Sequence, residues 1–173
     1  MKVALVIFSL LLSACGYAPL SSYAKNALGD RVHVILDINA QNISDLESSV
    51  ELKDLLNESL LSRLQLQVVD EKEATSTLRV KIIQISDSSI ATNDSGLSTF
   101  YRAQVGLSFS YKTKDGLERI FNNSSYFDYP VNIQNPLITY KNRKNAIYEA
   151  MSQSVDKFLS QIAFTKAPQE AQL

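Results

Sequence analysis

The side chains that could do chemistry in this chain of 173 residues are few. Its only cysteine is Cys15 and its only histidine is His33, which excludes an internal disulfide, a multi-thiolate metal site and a paired-histidine metal site. There is no Gly-x-Ser-x-Gly motif, no glycine-rich loop that could cradle a phosphate, and no local set of titratable groups at catalytic spacing. The sequence therefore predicts no catalytic residue, no metal site and no cofactor, and hence a protein that is not an enzyme.

Cys15 ends the one stretch whose pattern is specific. Lys2 is followed by an apolar run over residues 3–12, which is shorter than the roughly 20 residues of a transmembrane helix. A charged start, an apolar core and an exit of small residues are typical of a secretory signal peptide. The exit, Leu-Ser-Ala-Cys, resembles the bacterial lipobox, in which the cysteine thiol is lipidated and becomes the first mature residue. We therefore predict a lipoprotein signal peptide over residues 1–14 and lipidation of Cys15.

Lipidation of Cys15 would hold the mature protein at a membrane surface. Each buried methylene group contributes about 0.8 kcal/mol, so that one acyl chain holds marginally and several chains hold firmly. The bacterial modification is expected to carry several chains. Gly16 follows the cysteine instead of aspartate, and by resemblance to bacterial sorting rules this favours the outer membrane. The expected location is the bacterial outer membrane, with a lipid anchor; the alternative is an ordinary signal peptide with a cysteine near its cut by chance.

Two groups of cations could bind an anionic or polar ligand. Lys141, Arg143 and Lys144 form a basic cluster where a predicted loop meets the last predicted helix. Arginine and lysine pair with phosphates, including those of lipid A. Arg102 and Lys112 lie on the polar face of the clearest predicted strand. A solvated helix start and a solvent-exposed sheet face explain the two groups as well, so both alternatives stay open.

The charge balance excludes one class of partner. The chain has 17 Lys and Arg against 18 Asp and Glu, giving a formal net charge of −1. A nucleic-acid binder needs a basic excess, so nucleic acid is not an expected partner. With 45% hydrophobic and 20% charged residues, the chain can build a core. Its length fits one domain.

Periodicity predicts the elements that must position these residues. Apolar residues that alternate with polar ones predict four strands, at residues 31–38, 77–86, 99–113 and 117–129. Leucines at steps of three and four predict a helix over residues 44–64, with Ser44 and Glu47 as a capping box. A second apolar stripe predicts a helix over residues 142–164. Residues 66–69 are a short continuation of uncertain type, and a change of apolar phase predicts a bulge near Ile82.

The remaining segments are predicted to be irregular. Polar composition predicts a loop over residues 87–98, and Pro136 a second loop over residues 131–140. Lys-Asp-Gly at residues 114–116 predicts a hairpin turn, because glycine supplies the positive φ that a tight turn requires. We expect residues 15–28 to be an extended lipidated tether.

The order β-α-β-β-β-α predicts an α+β fold. Two amphipathic helices would pack on one face of a roughly four-stranded mixed sheet, forming a two-layer sandwich. The other face of the sheet would stay polar and exposed. Residues 29–164 would form this single domain, and residues 165–173 a flexible C-terminal tail.

Taken together, the chain resembles the LptE family of outer-membrane lipopolysaccharide-assembly lipoproteins. The resemblance rests on five features: the Cys15-Gly16-Tyr17 start, the strand and capped leucine-rich helix, the alternating Tyr101–Tyr111 strand with its Asp-Gly hairpin, the Tyr126-Phe127-Asp128-Tyr129 exit, and a final helix containing Lys144-Asn145-Ala146-Ile147. It implies two helices on a four-stranded sheet. It also implies a subunit that plugs the large β-barrel LptD, helps that barrel to assemble, and aids lipopolysaccharide delivery to the outer leaflet.

The partners that this resemblance implies are an LptD-type β-barrel, lipopolysaccharide, and the membrane through the N-terminal lipid. No site residue is carried over from the family. Two other functions stay open. One is an auxiliary lipoprotein of a periplasmic transporter for lipids or solutes, and the other is a lipoprotein regulator of a cell-wall synthase. The short tether before residue 29 argues against the long reach that such a regulator needs.

Overall fold

The computed structural model describes residues 20–37, 43–112, 116 and 118–164. The elements in chain order are α1 (Leu20–Leu28), β1 (Arg31–Asp37), α2 (Ile43–Leu64), β2 (Gln67–Val68), a 3-10 turn (Glu71–Glu73), β3 (Ser76–Thr92), β4 (Ser98–Lys112), β5 (Glu118–Pro130) and α3 (Pro136–Phe164). The predicted signal peptide, Cys15 and the predicted tail lie outside the described residues.

The strands form one five-stranded mixed sheet in the order β2-β1-β3-β4-β5. Strand β1 is parallel to both of its neighbours, whereas β3, β4 and β5 are antiparallel. The α+β class is confirmed, with one helix and one short strand more than the sequence predicted. The additional strand is β2, which forms from the short continuation at residues 66–69 because it pairs with the first residues of β1.

The additional helix, α1, corrects the prediction of an extended tether for residues 20–28. Ala24 and Leu28 are fully buried, and α1 packs against α2 and α3. The helix ends at Gly29, whose φ of 80° lies in the left-handed region and whose N–H donates to the carbonyl of Lys25 at 2.9 Å. The buried positions of α1 do recur at helical spacing, but three of the four are the small residues Ser21, Ala24 and Ala27, so the apolar signal is weak.

The predicted loop over residues 87–98 is also wrong in its first half, because β3 continues to Thr92. Pairing continues up to Thr92 opposite Ser98, so cross-strand hydrogen bonds outweigh the polar composition of the segment. The turn itself is closed by the Asn93 side chain, whose Oδ1 accepts the N–H of Leu97 at 2.9 Å. The predicted bulge is confirmed by a register shift between Ile82 and Gln84.

The start of α3 requires the third correction, since this helix begins at Pro136 rather than at residue 142. Asn135 caps it, accepting the N–H of Leu137 on Oδ1 at 3.2 Å. Proline is favourable at the first helical position because its missing N–H needs no partner there. The first turn escaped the periodicity because Leu137 and Ile138 are exposed instead of facing the core.

The core lies between the helices and one face of the sheet, which we call the inner face. Strand β4 supplies a buried residue at every second position, and α2 and α3 supply the opposing layer. The rings of Phe109 on β4 and Phe158 on α3 stack with their centroids 4.2 Å apart. The outer face carries the polar side chains of β3, β4 and β5, as the alternation predicted.

Candidate functional site

The outer face of β3, β4 and β5 is largely polar, and an ion pair joins β4 to β5 on it. Arg102 on β4 donates two hydrogen bonds to Asp128 on β5, from Nε to Oδ1 at 2.7 Å and from Nη2 to Oδ2 at 2.9 Å. The guanidinium also lies 3.9 Å above the ring centroid of Tyr126. The hydrogen bonding between the two side chains lowers the pKa of the Asp128 carboxyl and raises the pKa of the Arg102 guanidinium. This part of the face is therefore ordered and electrically neutral.

Lys112, the other predicted cation on β4, lies at the far end of the strand. Its register partner on β5 is Glu118, an acid. Between the two cations, the outward side chains of β4 and β5 are uncharged, and Gln104 Nε2 donates to Ser124 Oγ at 3.1 Å. The structure therefore does not bring Arg102 and Lys112 together into one anion site.

On the inner face, a hydrogen-bonded cluster of Tyr129, Asp87 and Arg143 joins β5, β3 and α3. The Tyr129 hydroxyl donates to Asp87 Oδ1 at 2.8 Å, and Arg143 Nε donates to Asp87 Oδ2 at 2.8 Å. Tyr129 is 5% exposed. Its burial, with the Asp87 hydrogen bond as the second cause, raises the pKa of its hydroxyl well above 10.0. Arg143 is thus already engaged with a carboxylate.

A second set of pairs ties the start of α3 to α2. Lys144 Nζ lies 3.1 Å from Glu51 Oε1, and the Tyr140 hydroxyl donates to Glu47 Oε2 at 3.0 Å. The hydrogen bond with Glu51 raises the pKa of Lys144, and that with Glu47 raises the pKa of Tyr140. Lys141 is exposed and has no ion pair within the described part of the chain.

The five predicted cations therefore do not form one site. Lys141, Arg143 and Lys144 lie together in the first turns of α3, as the sequence placed them. Arg102 and Lys112 lie at opposite ends of β4 on the outer face. Sequence reasoning did not identify the acids that compensate them. Asp87 meets Arg143 across 56 positions of sequence, and no local spacing signals such a pair.

One end of the molecule, formed by the β3–β4 turn and the segment after β5, exposes large apolar side chains. The N–H of Val131 donates to the carbonyl of Thr99 at 2.9 Å, which holds that segment beside the turn. The exposed apolar side chains of the segments at this end are Ile90, Leu97, Phe100, Ile133, Leu137 and Ile138. Large exposed apolar side chains in neighbouring segments are typical of a contact surface. We call this end of the molecule the apolar end.

The described residues contain neither a membrane-spanning helix nor a cluster of metal ligands. No helix within residues 20–37, 43–112 or 118–164 is both long and apolar enough to cross a membrane. In the same part of the chain, no three His, Cys, Asp or Glu side chains come together as metal ligands.

Comparison with known proteins gives a family. The family model LptE, described as lipopolysaccharide-assembly, matches residues 32–162, which is most of the chain. Comparison with curated proteins gives no significant match.

Solved structures show the same fold. Rare lipoprotein B from Shewanella oneidensis has a TM-score of 0.60 at 17% identity, covering 78% of this chain and 95% of that one. A minor lipoprotein from Acinetobacter baumannii has a TM-score of 0.52 at 9% identity, covering 79% and 92%. Lipoprotein B from Nitrosomonas europaea has a TM-score of 0.52 at 13% identity, covering 80% and 85%. At such identities the likeness shows the fold alone.

Proposed function

Because this chain belongs to the LptE lipopolysaccharide-assembly family, we propose that it is the lipoprotein subunit of an outer-membrane lipopolysaccharide translocon. A lipid on Cys15 anchors it in the outer membrane. The folded domain plugs a large β-barrel of the LptD type, helps that barrel to assemble, and aids delivery of lipopolysaccharide to the outer leaflet. The role is structural and ligand-assisting, with no chemical step.

The polarity of the outer face of the sheet supports the role as a plug. The lumen of a large outer-membrane barrel is polar, so the surface that enters it must be polar as well. Burying an unpaired charge is costly, whereas a pair that is already hydrogen-bonded brings its own partner. The bidentate Arg102–Asp128 pair and the Gln104–Ser124 hydrogen bond meet that requirement. The apolar end would then contact a matching apolar surface of the barrel.

The basic cluster at the start of α3 is the proposed contact for lipid A phosphates. Lys141 is exposed and without an ionic partner in the described chain, so it is available to a phosphate directly. Lys144 is held by Glu51 at 3.1 Å, but its side chain is 45% exposed and can exchange one anion for another. Arg143 is the least available of the three, since breaking its contact with Asp87 would leave the Tyr129 cluster incomplete.

This arrangement determines how the phosphate contact should be tested. Lys141→Glu and Lys144→Gln together should weaken lipopolysaccharide binding while the unfolding midpoint stays unchanged. Both are measured with the purified protein without its lipid anchor, which we call the soluble domain. Arg143 is left intact because its reversal would place a carboxylate against Asp87. Lys81→Glu, an exposed cation on β3, is the matched control. Unchanged binding in the folded double variant would remove the cluster as a phosphate site.

The translocon role is tested by affinity purification of the lipidated protein from detergent-solubilised outer membrane, with the bound chains identified by mass. One large β-barrel recovered near one-to-one is the expected result. Recovery of an inner-membrane ATPase complex or of a cell-wall synthase instead would overturn the proposal. A Cys15→Ser variant serves as the anchor control, because it should lose membrane attachment without losing its fold.

A further inference from the structure

The sheet has an open edge at β1, beyond the point where β2 ends. The carbonyl of Arg31 accepts from Thr75 on the β3 side, whereas the carbonyl of Val32 accepts from Val69 on the β2 side. Backbone groups alternate along a strand, so those of Val34 and Leu36 also point to the β2 side. Strand β2 pairs only with Arg31 and Val32. In the described chain, Val34 and Leu36 therefore have no strand partner on that side.

A groove lies along this open edge. It has a volume of about 400 Å³ and is lined by β1, α2 and the segment after β2, including Val34, Lys53, Asp70 and Glu73. The His33 ring borders the groove, and its Nδ1 lies 3.1 Å from the carbonyl oxygen of Val69. That contact occupies the carbonyl that would otherwise continue the ladder towards Val34. After Val69 the chain enters the 3-10 turn and no longer runs beside β1. The groove therefore lies where a continuation of β2 would run.

The opposite edge of the sheet, at β5, shows what a protected edge looks like in this molecule. The outward carbonyl of Ser124 accepts from Lys157 Nζ at 2.6 Å, and that of Pro130 accepts from Asn142 Nδ2 at 3.0 Å. Both donors come from α3. A lysine and a proline at an edge prevent unwanted strand pairing. Among the described residues, no side chain covers the edge at β1 in this way.

We propose that the groove beside β1 binds an extended segment of a partner protein, which continues the line of β2 as an added parallel strand. Only a polypeptide backbone offers N–H and C=O groups alternating at the spacing of Val34 and Leu36. The segment would begin near Asp70 and Glu73, so a basic residue at its N-terminal end complements the groove. This site is distinct from the basic cluster and from the outer face, and it does not depend on the translocon role.

The probe is a blocked heptapeptide that has one lysine followed by alternating valine and threonine. Binding to the isotope-labelled soluble domain is followed by NMR, with amide hydrogen exchange read at Val34 and Leu36. Saturating peptide should slow exchange at both amides at least tenfold. The same peptide with alternate backbone amides N-methylated cannot complete the ladder and is the matched control.

Four results would overturn the proposal. The first is no saturable change at Val34 and Leu36, and the second is equal protection by the N-methylated peptide. The third is protection that appears on β5 instead of β1. The fourth is slow exchange of the Val34 and Leu36 amides in the full chain without peptide. If deletion of residues 165–173 or dilution then restored fast exchange, the occupant would be the chain's own tail or a second copy.

Discussion

The two faces of the β3–β5 sheet differ in what holds them together. On the inner face, the stacked rings of Phe109 and Phe158 are fully buried. Beside them the buried Tyr129 donates to Asp87, while the side chains of Asp87 and its partner Arg143 are partly exposed. On the outer face, Arg102 and Asp128 form an ideal bidentate pair, but both side chains are about one-third exposed. Water screens such a pair and contributes competing hydrogen bonds, so exposed pairs add little stability. The fold is therefore stabilised from one side, and the other side is available to a partner.

The largest effect that tests this comparison is expected at the ring stack. Phe158→Ala removes a fully buried ring from between β4 and α3, and such truncations cost about 3–5 kcal/mol. Urea denaturation of the soluble domain measures the loss. Phe127→Ala is the control, because that ring lies at the sheet edge with 41% of its surface exposed. A loss at Phe127 equal to that at Phe158 would contradict a core centred on the ring stack between β4 and α3.

A smaller loss of stability is expected when one aspartate is removed from the inner face, and almost none when one is removed from the outer face. Asp87→Ala leaves the buried Tyr129 hydroxyl without its acceptor and Arg143 without its carboxylate. We expect a loss of about 1–3 kcal/mol in the free energy of unfolding. Asp128→Ala, its outer-face counterpart, should leave the denaturation midpoint nearly unchanged. Equal losses in the two variants would remove the energetic distinction between the faces.

The inner-face cluster also predicts a pH dependence at the alkaline end. The pKa of the Tyr129 hydroxyl is raised in the folded protein, first by burial and then by the Asp87 hydrogen bond. Its stabilisation is therefore complete below pH 10, the ordinary pKa of tyrosine, and is lost progressively as the pH rises above 10. Tyr129→Phe should flatten this alkaline loss in thermal unfolding curves. Tyr126→Phe on the outer face should leave the curve unchanged, and an equal flattening there would refute the assignment.

The smallest stability effect, and the sharpest functional one, is expected on the outer face. Arg102→Ala should not shift the unfolding midpoint measurably, because the exposed pair contributes little. It should nevertheless lower recovery of the barrel partner, since Asp128 would enter the lumen unpaired. Co-purification yield, normalised to the amount of folded protein, measures this. Undiminished recovery would show that the outer face is not the surface that meets the barrel.

Sequence periodicity predicted most of the sheet but failed where pairing outweighs composition. The alternation over β4 is unambiguous because one face is buried and the other is wet. The second half of β3 is polar on both faces and is held by its ladder with β4, which a single-sequence pattern does not contain. Helix α1 was missed because alanines mark its buried face, and the start of α3 because its first apolar residues are exposed. In the second case the Asn135-Pro136 pair was a usable signal.

The candidate site was predictable only in part. The basic cluster of Lys141, Arg143 and Lys144 lies within four residues, so the sequence alone located it. The availability of each cation was not predictable, because Asp87 and Glu51 come from distant elements. The groove at β1 left no signal either, since it depends on where β2 stops.

The position of β1 in the sheet sets an order of folding. Strand β1 is the first strand of the chain, yet it is inserted between β2 and β3, and the Thr75 that pairs with Arg31 follows it by 44 residues. Closing so long a loop costs more entropy than closing the tight turns between β3, β4 and β5. Strands β3, β4 and β5 can therefore pair through local contacts, whereas β1 can pair with β3 only after the intervening chain has folded back. A nascent chain halted before β3 would hold only the two-residue β2 as a partner for β1.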